Sequence, residues 1–219
     1  MFRNMTTASI RRAVACATLA SGLCAASASA SFSTATYIPC GSTEGFGSFR
    51  AELVYSYYGG TSASVSITLT NDTEISRGGY ITALAINPNA SVGGVSVGLA
   101  TSLAFEGIAS PVSAPPYGDF AAGFGLGGSF LGSGDPSAGI GVGGSGTFNF
   151  MLSGSAAVLA ALDAETVLSQ GGGYAMVVRF RGGAVDDWSD KVVGCALPAP
   201  GALALLGAAG LVPGRRRRV

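Results

Sequence analysis

The chain has 219 residues, 12 basic and 12 acidic side chains, 35 glycines, 48% hydrophobic residues and no histidine. The missing histidine excludes Ser-His-Asp and Cys-His catalytic sets and removes the usual zinc and copper ligand. With only 11% charged residues beside that hydrophobicity, simple disorder is excluded as well.

Residues 1–12 carry Arg3, Arg11 and Arg12 and no acid, and Ala13 to Ala26 are apolar or small. Ala28-Ser29-Ala30 then offers small residues at the two positions a signal peptidase reads. This order predicts a secretory signal peptide over residues 1–30, cut after Ala30. A permanent signal helix is the other reading of the run, but it is shorter than the ~20 residues a membrane span needs. A lipidated cysteine is disfavoured because bulky Leu23 precedes Cys24. Cleavage leaves Cys40 near the start and Cys195 near the end of the exported domain. Export permits a disulfide between them, and two unpaired thiols are the alternative.

The neutral total hides unlike regions. Between residues 31 and 196 there are five basic and all twelve acidic side chains, a net charge of −7. An acidic domain with one lysine is a poor nucleic-acid binder.

Strand signals dominate residues 31–196. Phe49 to Tyr58 is β-prone and aromatic and ends at the turn pair Gly59-Gly60. In Ser64 to Thr70 apolar residues alternate strictly with hydroxyl residues, one face for a core and one for water. Asp72 and Glu74 near Arg77 read as turn chemistry. Further strands are expected over Tyr80 to Ile86, Val95 to Ala104, Phe120 to Phe130, Thr147 to Leu152 and Tyr174 to Arg181. The Gly/Ser-rich stretch 118–146 matches no calcium-binding repeat and reads as a long hairpin. Ser155 to Ser169 predicts one short helix, stopped by Gly171-Gly172-Gly173. Strands at this spacing predict a mainly β fold, an antiparallel β-sandwich of immunoglobulin-like or jelly-roll type.

Candidate sites are few. Asp186, Asp187 and Asp190 place three carboxylates in five residues, a possible calcium set and the one cofactor suggested by the residues. A solvated acidic loop balanced by Lys191, Arg179 and Arg181 is the other reading. Trp188, Tyr55, Tyr57, Tyr58 and Tyr117 are candidates for stacking on sugars, although in a sandwich such residues are more often core or strand-face residues. Glu44, Glu52 and Glu106 form no recognisable carboxylate pair, so a histidine-free glycoside hydrolase is the least favoured reading.

Residues 197–219 have three parts. Pro198-Ala199-Pro200 comes first, an apolar segment from Gly201 to Val212 follows, and Arg215, Arg216, Arg217 and Arg218 close it. A short hydrophobic helix with a basic stop stays in the inner membrane with its arginines on the cytoplasmic side. This tail resembles a PEP-CTERM sorting signal, with Ala199 in place of the acidic residue between the two prolines. The resemblance implies an exosortase-like processing enzyme as partner, passage by way of the inner membrane, and a secreted or cell-surface destination associated with exopolysaccharide or biofilm. Val65 to Thr73, Gly78 to Pro88 and Met176 to Lys191 also resemble a β-domain that recurs before such tails. The expectation is a structural or adhesive surface protein without catalysis; a carbohydrate- or calcium-binding module is the alternative.

Overall fold

The computed structural model describes residues 30–132, 134–168, 173–184 and 188–197. The expected signal segment before Ala30, the expected sorting tail from Pro198 onward, and Asp186 and Asp187 lie outside the described residues. No helix among the described residues is long and apolar enough to cross a membrane.

Among the described residues, twelve strands carry the fold. They are β1 (Ser31–Ser42), β2 (Phe49–Tyr57), β3 (Ser62–Asn71), β4 (Gly78–Ile86), β5 (Gly94–Ala100), β6 (Phe105–Ile108), β7 (Val112–Ser113), β8 (Asp119–Phe120), β9 (Ala122–Leu126), β10 (Ser145–Ser153), β11 (Met176–Gly183) and β12 (Asp190–Ala196). A 3-10 turn covers Pro136–Ala138, and one helix, α1, covers Ala156–Ala161.

Ten strands form one antiparallel sheet in the order β5-β10-β3-β2-β1-β12-β11-β4-β9-β6, and β7 pairs with β8 apart from it. The expected sandwich is therefore corrected to a single sheet rolled into a barrel-like shape. The reason is β1, twelve residues long, which pairs with β2 along one edge and β12 along the other and so leaves no break between two layers. The two ends of the sheet order meet without a hydrogen-bonded ladder. A Cβ on Gly107 of β6 would lie 2.5 Å from Val97 Cγ2 of β5, so the closing contact requires glycine.

Local sequence explains the layers. In β3, Ala63, Val65, Ile67 and Leu69 are buried while Ser64, Ser66, Thr68 and Thr70 face outward. Thr68 bonds Thr147 and Thr70 bonds Ser145 across to β10, both at 2.9 Å, tying outward hydroxyls into pairs. Strand β4 is buried on both faces. Leu84 and Ile86 join the interior; Ala83 and Ala85 pack outside with Val177 and Val193 under Val112, Phe120 and Phe130. Burial on both faces explains the unbroken apolar stretch Ala83 to Ile86. Inside, Phe124 stacks against Phe148 and Phe150 with centroids 5.3 and 5.2 Å apart, filling the barrel.

One end is covered by residues 155–168. Tyr55 donates to the Leu159 carbonyl (2.6 Å) and Tyr37 to that of Ala164 (3.2 Å), while Ala164 N–H donates to Ser33 Oγ (2.8 Å). The expected helix over Ser155 to Ser169 is shorter than its composition suggests. Leu162 is extended, and the Asp163 carboxylate takes Glu165 N–H, Thr166 N–H and Thr166 Oγ1, a local turn that competes with another helical turn. The long hairpin expected over 118–146 is also absent, because β9 pairs with β4 and β6 rather than with β10. Its glycines do serve close approaches: a Cβ on Gly123 would meet the Leu84 carbonyl oxygen at 2.6 Å.

Candidate functional site

The sequence candidates are placed as follows. Cys40 and Cys195 are bonded, with their Cα atoms 5.7 Å apart and a sequence separation of 155. Cys40 occupies the bulge between Pro39 and Gly41 where β1 shifts register against β12. Ala30 is exposed at the edge of the described residues. Glu44, Glu52 and Glu106 are exposed and sit on three different elements.

Asp190 is buried, and its carboxylate is fully engaged. Oδ1 accepts from Thr43 N–H (3.1 Å), Thr43 Oγ1 (2.8 Å) and Glu44 N–H (3.0 Å), while Oδ2 accepts from Phe46 N–H and Gly47 N–H at 2.9 Å. Ser42 Oγ donates between both oxygens at 2.8 and 2.7 Å. Burial by itself raises this carboxyl's pKa. The bonds from Gly47, Ser42, Phe46 and Glu44 outweigh it and hold the group below the ordinary carboxylate value. A carboxylate ringed by N–H and O–H donors lacks free lone pairs for a cation. The calcium reading of Asp190 is thereby corrected: it anchors the 42–47 loop. Among the described residues no three potential ligands group together.

The aromatic candidates are packed. Tyr55 and Tyr57 are fully buried. Trp188 lies against Phe46 (5.6 Å) and Phe180 (6.5 Å) and donates to the Arg77 carbonyl at 3.2 Å. Tyr117 meets Tyr174 edge-on at 4.9 Å. Tyr58 alone of the sugar-stacking set is largely open, at 80% exposure. The turn chemistry at Glu74 holds, with Arg77 Nε 3.6 Å from its carboxylate.

What sequence reading missed is a cleft of about 250 Å³ where the barrel's two end strands converge. It forms between Thr101 and Ser102 of the turn after β5, Phe105 at the start of β6, and the segment Ala138 to Phe148. Phe105 and Phe148 meet edge-on at 5.1 Å at its base. Thr101 Oγ1 accepts from Thr147 N–H at 3.0 Å, and Ser102 Oγ accepts from Ala104 N–H at 3.3 Å. Each hydroxyl keeps further bonding capacity. Among the described residues no acidic, basic or thiol side chain lines the cleft, and its hydroxyls suit a neutral polar group. No family model, curated protein or solved structure matches this chain. The reading of its site thus rests on residues and geometry alone. The β5–β10 pairing unites segments some forty residues apart, and no local pattern marks them.

Proposed function

We propose that the protein is an exported structural or adhesive element of a bacterial cell surface or extracellular matrix, acting without catalysis. The observation that carries this reading is the Cys40–Cys195 disulfide, because such bonds persist in oxidising compartments and are rare in the cytosol. The basic, apolar and Ala-Ser-Ala order before Ser31 supports it, as does the PEP-CTERM-like tail from Leu197 onward. On this reading an exosortase-like enzyme processes the tail, and the domain is delivered outside by way of the inner membrane. The test is expression of the full chain in a Gram-negative host, with fractionation and intact-mass analysis. The expected product lies outside the cytoplasm, begins at Ser31 and has no free thiol. A cytoplasmic product that keeps residues 1–30 overturns the proposal.

One observation favours a second reading, a carbohydrate-binding module. The cleft at Thr101, Ser102 and Phe105 combines hydroxyls and aromatic edges without charge, which suits a neutral sugar. A glycan array decides it: binding lost in Thr101→Val supports the module, and silence across neutral glycans removes it.

A further inference from the structure

The cleft is polar at its mouth and apolar at its base. Its hydroxyls belong to Thr101, Ser102 and Ser145, and all three residues are exposed. Phe105, Ile140 and Phe148 are buried and form the floor. The floor continues into the barrel interior, because Phe124 packs behind Phe148 with centroids 5.3 Å apart.

The backbone beside this floor is already spent. Ile140 N–H donates to the Ile81 carbonyl at 3.0 Å, and the Ile140 carbonyl accepts from Ile81 N–H and from Asn71 Nδ2, both at 2.9 Å. Gly144 N–H donates to the Gly141 carbonyl at 2.9 Å, and the Gly144 carbonyl accepts from Asn71 N–H at 3.0 Å. A sugar hydroxyl pressed onto the phenyl edges and Ile140 would leave water without gaining a partner, which is costly. A methyl group in the same place gains by burying apolar area. The volume of about 250 Å³ lies below the ~300–1,000 Å³ of pockets for drug-sized ligands, so the cleft suits one ring rather than a chain.

We propose that the cleft takes a neutral sugar ring bearing a methyl group, with the methyl inward on Phe105, Ile140 and Phe148 and the ring hydroxyls outward on Thr101, Ser102 and Ser145. The methyl belongs to a deoxy sugar or to an acetyl substituent; both present the same apolar group to the floor. The inference rests on the carbohydrate-binding reading of this cleft and adds to it which sugars the cleft prefers.

Saturation-transfer NMR and calorimetry on the purified full chain test it with free sugars paired to differ at one group. L-rhamnose against L-mannose and L-fucose against L-galactose probe a deoxy methyl; N-acetylglucosamine against glucose probes an acetyl methyl. The expected result is binding about tenfold tighter or more for the methyl-bearing member, equivalent to about 1.4 kcal/mol, with the strongest saturation on its methyl protons. The pair that shows the preference identifies the source of the methyl. Ile140→Thr sets a hydroxyl at the floor and should narrow the preference, whereas Thr101→Val should weaken both members alike. Binding without preference in any pair, or saturation concentrated on ring protons, overturns this inference and leaves the carbohydrate reading standing. Silence across all these sugars overturns it as well, and the neutral-glycan array then decides whether the carbohydrate reading survives.

Discussion

Arg179 and Arg181 donate to the same acceptor: their Nη1 atoms lie 3.3 and 2.9 Å from the carbonyl oxygen of Gly132. Arg179 also bonds the Phe130 carbonyl and Arg181 that of Gly134, so two neighbouring side chains of β11 pin one glycine-rich loop. Burial, and then the like charge of Arg181, pull the Arg179 guanidinium pKa down to about 10. Replacing Arg181 therefore has two opposed effects, relief of repulsion and loss of two charge-assisted bonds. The bonds dominate, because each is worth about 1.5–3 kcal/mol while the guanidinium is partly open to solvent. Arg181→Met is expected to cost about 1–2 kcal/mol and to speed amide exchange over residues 129–135, with exchange in β2 and β3 unchanged.

A sharper loss is expected at the buried carboxylate. Asp190→Asn swaps an oxygen that accepts N–H bonds for an NH₂ that faces them. At least two donors lose their acceptor, at about 1–3 kcal/mol each, so urea unfolding at neutral pH should fall by about 3 kcal/mol or more. The pH dependence has a definite sign. The folded-state pKa is depressed, so the stabilisation is present above the unfolded aspartate value of about 3.9 and is lost as pH falls through the lower folded value. Parent and variant stabilities should converge in that acid window. A constant gap down to pH 2 would show that Asp190 does not titrate as described.

Reduction offers a third measurement. The bond between Cys40 and Cys195 closes a loop across a sequence separation of 155. In the chain-entropy model that contributes about 4–5 kcal/mol. The double variant Cys40→Ala with Cys195→Ala should lower the denaturant midpoint accordingly while the far-ultraviolet spectrum is kept.

Trp188 is the single tryptophan, which makes its contacts separately readable. A Cβ at Gly183 would collide with its indole ring, and one at Gly79 would lie 2.8 Å from it. Gly183→Ala should displace the ring from Phe46 and Phe180, red-shift the fluorescence and cost about 1–3 kcal/mol. Unchanged emission would show that the ring has room to spare.

A fifth test uses alkali. Burial, then the charges of Glu165 and Asp163, raise the Tyr37 phenol well above its ordinary value. A raised folded-state value means that the stabilisation is whole below about pH 10 and is lost as pH rises beyond it. Tyr37→Phe removes the bond to Ala164 at a cost of about 1 kcal/mol near neutrality. The variant should also lose less stability than the parent between pH 10 and 12.

How far the sequence could be read differs by element. The alternation in β3 and the apolar run of β4 announce both strands, since local patterning records which faces are buried. Nothing local records partners. Strand β1, SFSTATYIPCGS, is too irregular to stand out, yet its pairing on both edges turns an expected sandwich into a rolled sheet. The helix was overextended because alanine and leucine propensity outweighed a single Asp163 turn. Asp190 was legible as an acid but not as the centre of a hydrogen-bonded loop, because its donors come from residues 42–47, far off in the chain. The cleft offers no titratable side chain, so a search for chemistry passes over it.

The placement of the disulfide has a mechanical side. Ser31 begins β1, and Leu197 leaves β12 with its N–H bonded to Thr36. Tension applied at these two points peels β1 from its neighbours only as far as Cys40. From there the load passes through sulfur to Cys195, and the chain between the two cysteines hangs as an unloaded hoop. A domain tethered at both ends would stop stretching once the residues outside the two cysteines are drawn out, with everything between Cys40 and Cys195 under no direct load.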